Sequence, residues 1–382
     1  MKKIIILSIA ITVLTCCTLD REGKVNQGNL IEVDFKNFSL YQSDTSIFKS
    51  IRYVPLETNE NSLIGEIGKI IYSNGIFYIF DHKKQIILLF DESGNHLGNV
   101  GSVGRGPGEY VSIRGFDVDS EGNIYIWDVM SNKLVVYDEN PINYREYRLG
   151  KGVEEFIVAG DGYLIVRNLL DQGMIKSRIA GYDYINDETE ELLSTGYYYD
   201  DFDITRFGAF SFFKSENRAF FNARFKNEVY EISDNGNIKK AIIINDPVNS
   251  HEAVNYLKTE PFVDYKFDQF IVDIRDIYEN SKVISMTIQK GGLNNLLISK
   301  LSGYSLLLPH HTPPDRNYFG SWPIRGVAGE EFFSVFWSRG QQNEMWQKAV
   351  NRSSLEFNQK QILLNRKIED NPVLVLFKFK DF

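Results

Sequence analysis

Apolar and polar residues alternate along most of this chain in short runs, each closed by Gly, Asn, Asp or Pro. That is the period of half-buried strands. Residues 75–91 (GIFYIFDHKKQIILLFD) recur 47 positions later as residues 122–138 (GNIYIWDVMSNKLVVYD), with glycine, tyrosine, isoleucine and both aspartates in register. A repeat of about forty to fifty residues, built of alternating strands instead of helical heptads, predicts β-propeller blades. Six hairpin turns fit that ruler: Asn74-Gly75, Gly122-Asn123, Asp161-Gly162, Asn217-Arg218, Asn280-Ser281 and Gly329-Glu330. The expected fold class is all-β, a six-bladed β-propeller, and the uneven spacing of the turns leaves five or seven blades open.

Residues 51–56 (IRYVPL) precede the first full unit and residues 372–379 (PVLVLFKF) follow the last hairpin. They predict N- and C-terminal strands that close one blade, which removes strand edges that would otherwise invite aggregation. Segments 249–261 and 341–367 break the pattern, with apolar residues at helical spacing and strong helix formers between them. They read as short helical excursions in the late blades that cap a propeller edge, with a role in binding as the alternative.

Composition adds two constraints. Aromatic residues make up 14% of the chain, which suits broad contacts between pleated sheets. The net charge of -9 excludes a nucleic-acid backbone as the expected partner, because such binding needs clustered Lys and Arg.

At the N-terminus, Lys2 and Lys3 precede an apolar stretch over 4–14 and then Thr15, Cys16 and Cys17. This is the pattern of a secretory signal, too short to remain as a membrane span. Leu14-Thr15-Cys16-Cys17 resembles a bacterial lipobox, which implies lipidation at Cys17; Cys16, with Val13 in the place of Leu14, is the alternative acceptor. The expected organisation is a lipoprotein signal peptide over 1–16, a lipidated tether over 17–40 and the propeller over 41–382. These are the chain's 2 cysteines, so the mature domain has no internal disulfide. Several acyl chains on one cysteine would hold the domain firmly to a membrane.

Residues 104–128 (GRGPGEYVSIRGFDVDSEGNIYIWD) resemble NHL-type propeller repeats. The wider chain resembles the six-bladed β-propeller lipoproteins of Bacteroidota at 54–58 (VPLET), 104–110 (GRGPGEY) and 371–375 (NPVLV). The resemblance implies an outer-membrane lipoprotein, facing the periplasm or the cell surface, and no settled activity.

Candidate chemistry is sparse. Residues 117–128 (DVDSEGNIYIWD) mimic a calcium loop, but Val118, Ile124 and Ile126 alternate as strand residues and no helices flank them, so an aspartate-rich turn is expected. The loop over 104–108 lacks the Lys-Ser/Thr of a phosphate cradle and reads as a turn between blades. There is no G-x-S-x-G elbow, and the 5 histidines have no metal-ligand spacing beyond the adjacent His310 and His311.

Aligning the blades offers more. Arg114 and Arg325 occupy similar offsets before their hairpins, and Glu154 sits at a comparable place, so all three are expected at one mouth of the central channel. An arginine collar would suit carboxylates or phosphates; salt bridges between blades are the competing reading. Tyr198 and Tyr199, and His310, Tyr318, Phe319 and Trp322 in the 305–326 loop, suit stacking on sugar rings, or else plug a propeller face. The expectation is a binding or scaffolding propeller for a glycan, a peptide or an envelope protein, with no catalytic residue, metal or cofactor assigned. The alternative is a metal-dependent lyase or lactonase at the channel mouth.

Overall fold

The computed structural model describes residues 30–34, 39–40, 47–139, 141–148, 153–159, 163–171, 175–183, 190–194, 210–215, 218–223, 226–232, 238–248, 252, 268–310, 318–319, 324–338 and 343–382. Three short N-terminal strands, β1 (Ile31–Asp34), β2 (Ser39–Leu40) and β3 (Phe48–Pro55), join sheets built mainly by later parts of the chain. Next come β4 (Ile67–Ser73), β5 (Ile76–Asp81), β6 (Ile86–Asp91) and β7 (His96–Val100), then β8 (Ile113–Val118), β9 (Ile124–Asp128), β10 (Lys133–Tyr137) and β11 (Tyr144–Tyr147). Each set of four is one antiparallel sheet. A third sheet holds β12 (Val153–Ala159), β13 (Tyr163–Asp171), β14 (Ile175–Asp183) and β15 (Glu190–Ser194).

The fourth comprises β16 (Phe210–Ser215), β17 (Arg218–Ala223), β18 (Glu228–Ile232) and β19 (Ile238–Asn245), with β1 added parallel to β19. The fifth comprises β20 (Asp273–Glu279), β21 (Val283–Gln289), β22 (Leu293–Ser299) and β23 (Ser305–Pro309), with β2 added parallel to β23. The last sheet orders β24 (Gly326–Ala328), β25 (Glu331–Phe336), β26 (Val373–Phe379) and then β3. The inner strands β4, β8, β12, β16, β20 and β24 are neighbours in that cyclic order, and β24 returns to β4. The fold is an all-β propeller.

The expected hairpin turns separate the first and second strands of the sheets, as at Asn74-Gly75, where both residues take positive φ. The closing blade is also built as the sequence predicted: β26 pairs β25 on one side and β3 on the other, Val375 lying opposite Tyr53. The repeat itself has a structural cause. Asp81 accepts from the backbone N–H groups of Gly65, Glu66, Lys83 and Lys84, and Asp128, 47 residues on, accepts from those of Val111, Ser112, Met130 and Ser131. Each buried carboxylate ties the loop entering the inner strand to the turn leaving the second.

Asp119 accepts from Glu121 N, Asn123 N, Asn123 Nδ2 and the Tyr125 hydroxyl. Asp117 accepts from Val118 N and Val158 N. The carboxylates of the 117–128 segment therefore turn to separate sets of donors, the geometry of an aspartate-rich turn. The loop over 104–108 is a link between blades: Glu109 accepts from Gly106 N at 2.7 Å, and Gly108, at φ 70°, donates its N–H to Glu146 Oε1 at 2.7 Å.

The helical stretch expected at 341–367 is two helices, α1 (Glu344–Arg352) and α2 (Phe357–Leu364). Asn343 caps α1 by accepting from Trp346 N at 3.0 Å, and Ser353 ends it with its N–H on Ala349 O and Val350 O. Gln359 of α2 accepts from Tyr53 N at 2.8 Å, so the helix covers the outer edge of β3. That is the capping role. Segment 249–261, apart from Glu252, lies outside the described residues.

Candidate functional site

A cavity of about 470 Å³ runs along the axis and is lined by all six inner strands. A second, of about 350 Å³, lies between β4 and β25, at the end where the inner strands begin; Glu66, Arg325 and Trp337 line it. Arg325 lines both cavities.

Its position follows from the residues on either side. Ile324 is buried, and the Arg325 N–H donates to Phe333 O at 2.8 Å, which fixes the backbone at the entrance to β24. Gly326 follows because the Phe333 ring lies directly over it: a Cβ there would come within 2.3 Å of the ring. Gly326→Ala is expected to cost about 1–3 kcal/mol through this overpacking, read as a lower midpoint in urea unfolding. Among the described residues the Arg325 guanidinium forms no ion pair or side-chain hydrogen bond.

The channel wall holds a second group that no sequence signal marked. In β20 the register passes from Arg275 opposite Thr287 to Tyr278 opposite Ser285, so one extra residue is accommodated. This is a β-bulge, and Asp276 takes φ 53°, a conformation that Asp tolerates better than most residues. The bulge lets both Ile274 and Ile277 enter the core while Arg275, Asp276 and Tyr278 line the channel. Arg275 Nε lies 3.7 Å from Asp276 Oδ2.

Although 35% of the Asp276 side chain is reachable by water, it lies within the channel, among residues of the inner strands. Burial pushes its carboxyl above the ordinary aspartate range; Arg275 and Arg325 pull against that rise and Asp273 adds to it. The same enclosure raises the Tyr278 hydroxyl.

Lower in the channel the charges are used for structure. Lys69 Nζ donates to Phe116 O at 3.0 Å and sits 5.6 Å from the Phe116 ring centroid. Lys214 Nζ donates to Val118 O at 2.7 Å and lies 3.5 Å from Asp117 Oδ2. Since Asp117 also accepts from Val158 in the next blade, one carboxylate links three consecutive blades.

Of the sequence candidates, Arg114 is an exposed residue of β8 at the bulge between Ile113 and Gly115. Glu154 holds the equivalent bulge position in β12, and its side chain lies outside the described residues. Both stand near the start of an inner strand, as Arg325 does, but Arg114 does not line the channel cavity. His310 follows β23 and is half-buried.

Tyr318 and Phe319 are not exposed stacking surfaces. Tyr318 is buried against Phe48 with ring centroids 5.2 Å apart, and Phe319 meets Trp346 edge-on at 4.9 Å, so these rings plug the closing blade. Cys17, Tyr198, Tyr199 and Trp322 lie outside the described residues. Among the described residues, the aromatic side chain that borders the Arg325 cavity is Trp337, 42% exposed just beyond β25. A lone Trp after a strand of Phe and Val gave no sequence signal.

A family model described as a domain of unknown function, DUF4934, matches residues 30–378. The chain belongs to the DUF4934 family. Among solved structures, an uncharacterised exported protein of Bacteroides fragilis matches this DUF4934 chain at TM-score 0.68 with 16% identity, over 92% of this chain and 100% of that one. A DUF4221 member from Bacteroides vulgatus matches at TM-score 0.50 with 13% identity, over 88% of this chain and 98% of that one. A virginiamycin B lyase from Staphylococcus aureus matches at 0.40 with 16% identity, over 75% of this chain and 82% of that one. No curated protein matches. These likenesses concern the fold, which places the DUF4934 chain among Bacteroidota β-propellers. Among the described residues, no helix is long and apolar enough to cross a membrane.

Proposed function

We propose that the DUF4934 chain is an exported lipoprotein, anchored through Cys17 in the outer membrane, whose six-bladed propeller binds a carboxylate-bearing glycan at the mouth formed by Arg325, Trp337 and Glu66. Six sheets with inner strands in a closed cycle support the blade count. The N-terminal lipobox pattern and the exported Bacteroides relative support the location.

One observation carries the binding role. Arg325, without an ion pair among the described residues, lines both the channel and a side cavity bordered by a half-exposed Trp337. The guanidinium fork matches a carboxylate, the indole face matches the apolar face of a sugar ring, and Glu66 and Asp276 accept from hydroxyls. A cation with no ion pair among the described residues, an aromatic platform and acceptors around one opening form a recognition site more than a catalytic one.

Calorimetric titration of the purified protein against a panel of uronic-acid oligosaccharides, their neutral counterparts and acidic peptides tests this. An acidic oligosaccharide is expected to bind, with affinity falling about tenfold or more for Arg325→Ala and for Trp337→Ala. Preference for the neutral sugars, for the peptides, or an affinity untouched by both substitutions would overturn the assignment.

A further inference from the structure

A larger cavity, of about 710 Å³, lies away from the axis between the fourth and fifth sheets, at the end of the propeller where β20 stops and β21 and β19 begin. Adjacent blades diverge outward, and here the wedge between them is left open. Its floor is apolar: Phe220, Ile242, Ile277, Ile284 and Phe379 are each buried yet face the cavity. Leu301, at its rim, is 90% exposed.

The charged side chains around this floor do not resemble the rest of the chain. Arg218, Lys239, Lys240, Lys282, Lys300 and Lys380 face three carboxylates, Glu231, Glu279 and Asp381. Lys240 is paired with Glu228 at 2.6 Å, and Arg218, Lys239, Lys282 and Lys300 then meet Glu231, Glu279 and Asp381, a local excess of one positive charge on a protein whose net charge is -9. The existing pairs leave capacity for a further anion. Lys282 Nζ meets Asp381 Oδ1 at 2.8 Å, and an ammonium has three donors.

Arg218 is already spent, since it grips Glu231 through two nitrogens and Glu279 through a third, and it rests 4.7 Å from the Phe220 ring. It anchors the wall, and the lysines supply the remaining donors.

We infer that this groove is a second binding site, for an amphiphile with one long acyl chain and a carboxylate head, the chain lying on the Phe220–Ile284 floor and the head among Lys239, Lys282 and Lys300. Lys239 meets Glu231 at 3.1 Å and Lys300 meets Glu279 at 2.6 Å, so a purely apolar ligand would leave only the spare donors of these paired ammonium groups unused. A small anion would leave the floor wet. The volume falls within the range of small-molecule pockets, about 300–1,000 Å³. β1 lies along β19 with Ile31 opposite Ile242, and Ile31 lines the groove itself.

The test uses the chain from residue 18 onward, which keeps every described residue and carries no acyl group. Calorimetry with sodium laurate below its micellar concentration is expected to show saturable binding. Dodecanol and dodecyltrimethylammonium, with the same chain and a neutral or positive head, are expected to bind at least about tenfold more weakly. Leu301→Glu and Lys282→Glu, both at exposed positions, are expected to weaken laurate about tenfold while leaving the thermal midpoint in place.

Three results would overturn the inference. One is the absence of laurate binding; another is equal affinity for dodecanol, which would point to acyl chains of a membrane or of the Cys17 anchor. The third is binding to anionic phospholipid vesicles with none to monomeric laurate. Because the oligosaccharide site lies at the channel mouth, its failure would leave this result unaffected.

Discussion

Removal of residues 372–382 is expected to abolish the folded protein, leaving aggregate or unfolded chain in place of a weakened propeller. β26 is not a trailing edge; it is the third of four strands, hydrogen-bonded to β25 and to β3. Val373, Leu374, Val375, Leu376 and Phe377 are all completely buried, Val373, Val375 and Phe377 in one core cluster and Leu374 and Leu376 in another. Each such side chain contributes about 1.5–3 kcal/mol through burial. Five together match the entire net stability of a typical domain, about 5–15 kcal/mol. Loss of the strand also leaves β3 and β25 with facing rows of unpaired N–H and C=O groups. Gel filtration and circular dichroism of the truncated chain provide the check; a monomer with native ellipticity would show that the ring closes without this strand.

The second large effect is expected at the repeated aspartate. Asp128→Ala should destabilise the protein by about 3 kcal/mol, since four backbone donors lose their acceptor and each orphaned group costs about 1–3 kcal/mol before water enters. Asp81→Ala, whose carboxylate serves four donors in the same way, should behave alike. The effect has a pH signature. Burial pushes the Asp128 carboxyl up, but the donors from Val111, Ser112 and Ser131 outweigh it and hold the carboxyl below its usual range. A carboxylate with a depressed folded pKa contributes stability that is present above its unfolded value, about 3.9, and is lost as pH falls through the lower folded value. Asp128→Asn should therefore remove part of the stability at neutral pH and flatten its decline below about pH 4. Urea unfolding of both proteins across that range measures this; parallel curves would mean that the carboxylate charge is immaterial.

The two predictions explain why the sequence was so readable in one respect. Alternation and the repeat located the hairpins and the closing strands, because each depends on local rules: side chains face opposite sides of a strand every second residue, and a turn needs residues that accept positive φ. The matching aspartates were visible as letters, but their purpose was not. Only the fold shows that Asp81 and Asp128 fasten two separate loops. The single helical segment expected near the C-terminus became two for a local reason, since Ser353 draws the last turn of α1 to a close.

The site was less legible. Equivalent positions in the repeat singled out Arg325 and Arg114, and that logic holds for backbone placement at the start of inner strands. Periodicity gave no notice of Asp276, because a bulge is a departure from period and a single Asp inside a strand leaves no pattern. Exposed and buried aromatics also look the same as letters. Tyr318 and Phe319 suit a ligand platform or a plug equally as letters, and packing against Phe48 and Trp346 makes them a plug.

The sequence by itself determined strand period, turn positions, the pairing of the two chain ends and the acidic character of the whole. Tertiary structure alone decided which charges meet. Arg275 and Arg325 lie 50 residues apart and act on one carboxylate, while cations from β17, β19, the turn before β21 and the C-terminal tail gather over one apolar floor. Local backbone preference is written in neighbouring residues and can be read from them. Convergence around an axis depends on how the blades close, and that depends on every blade at once.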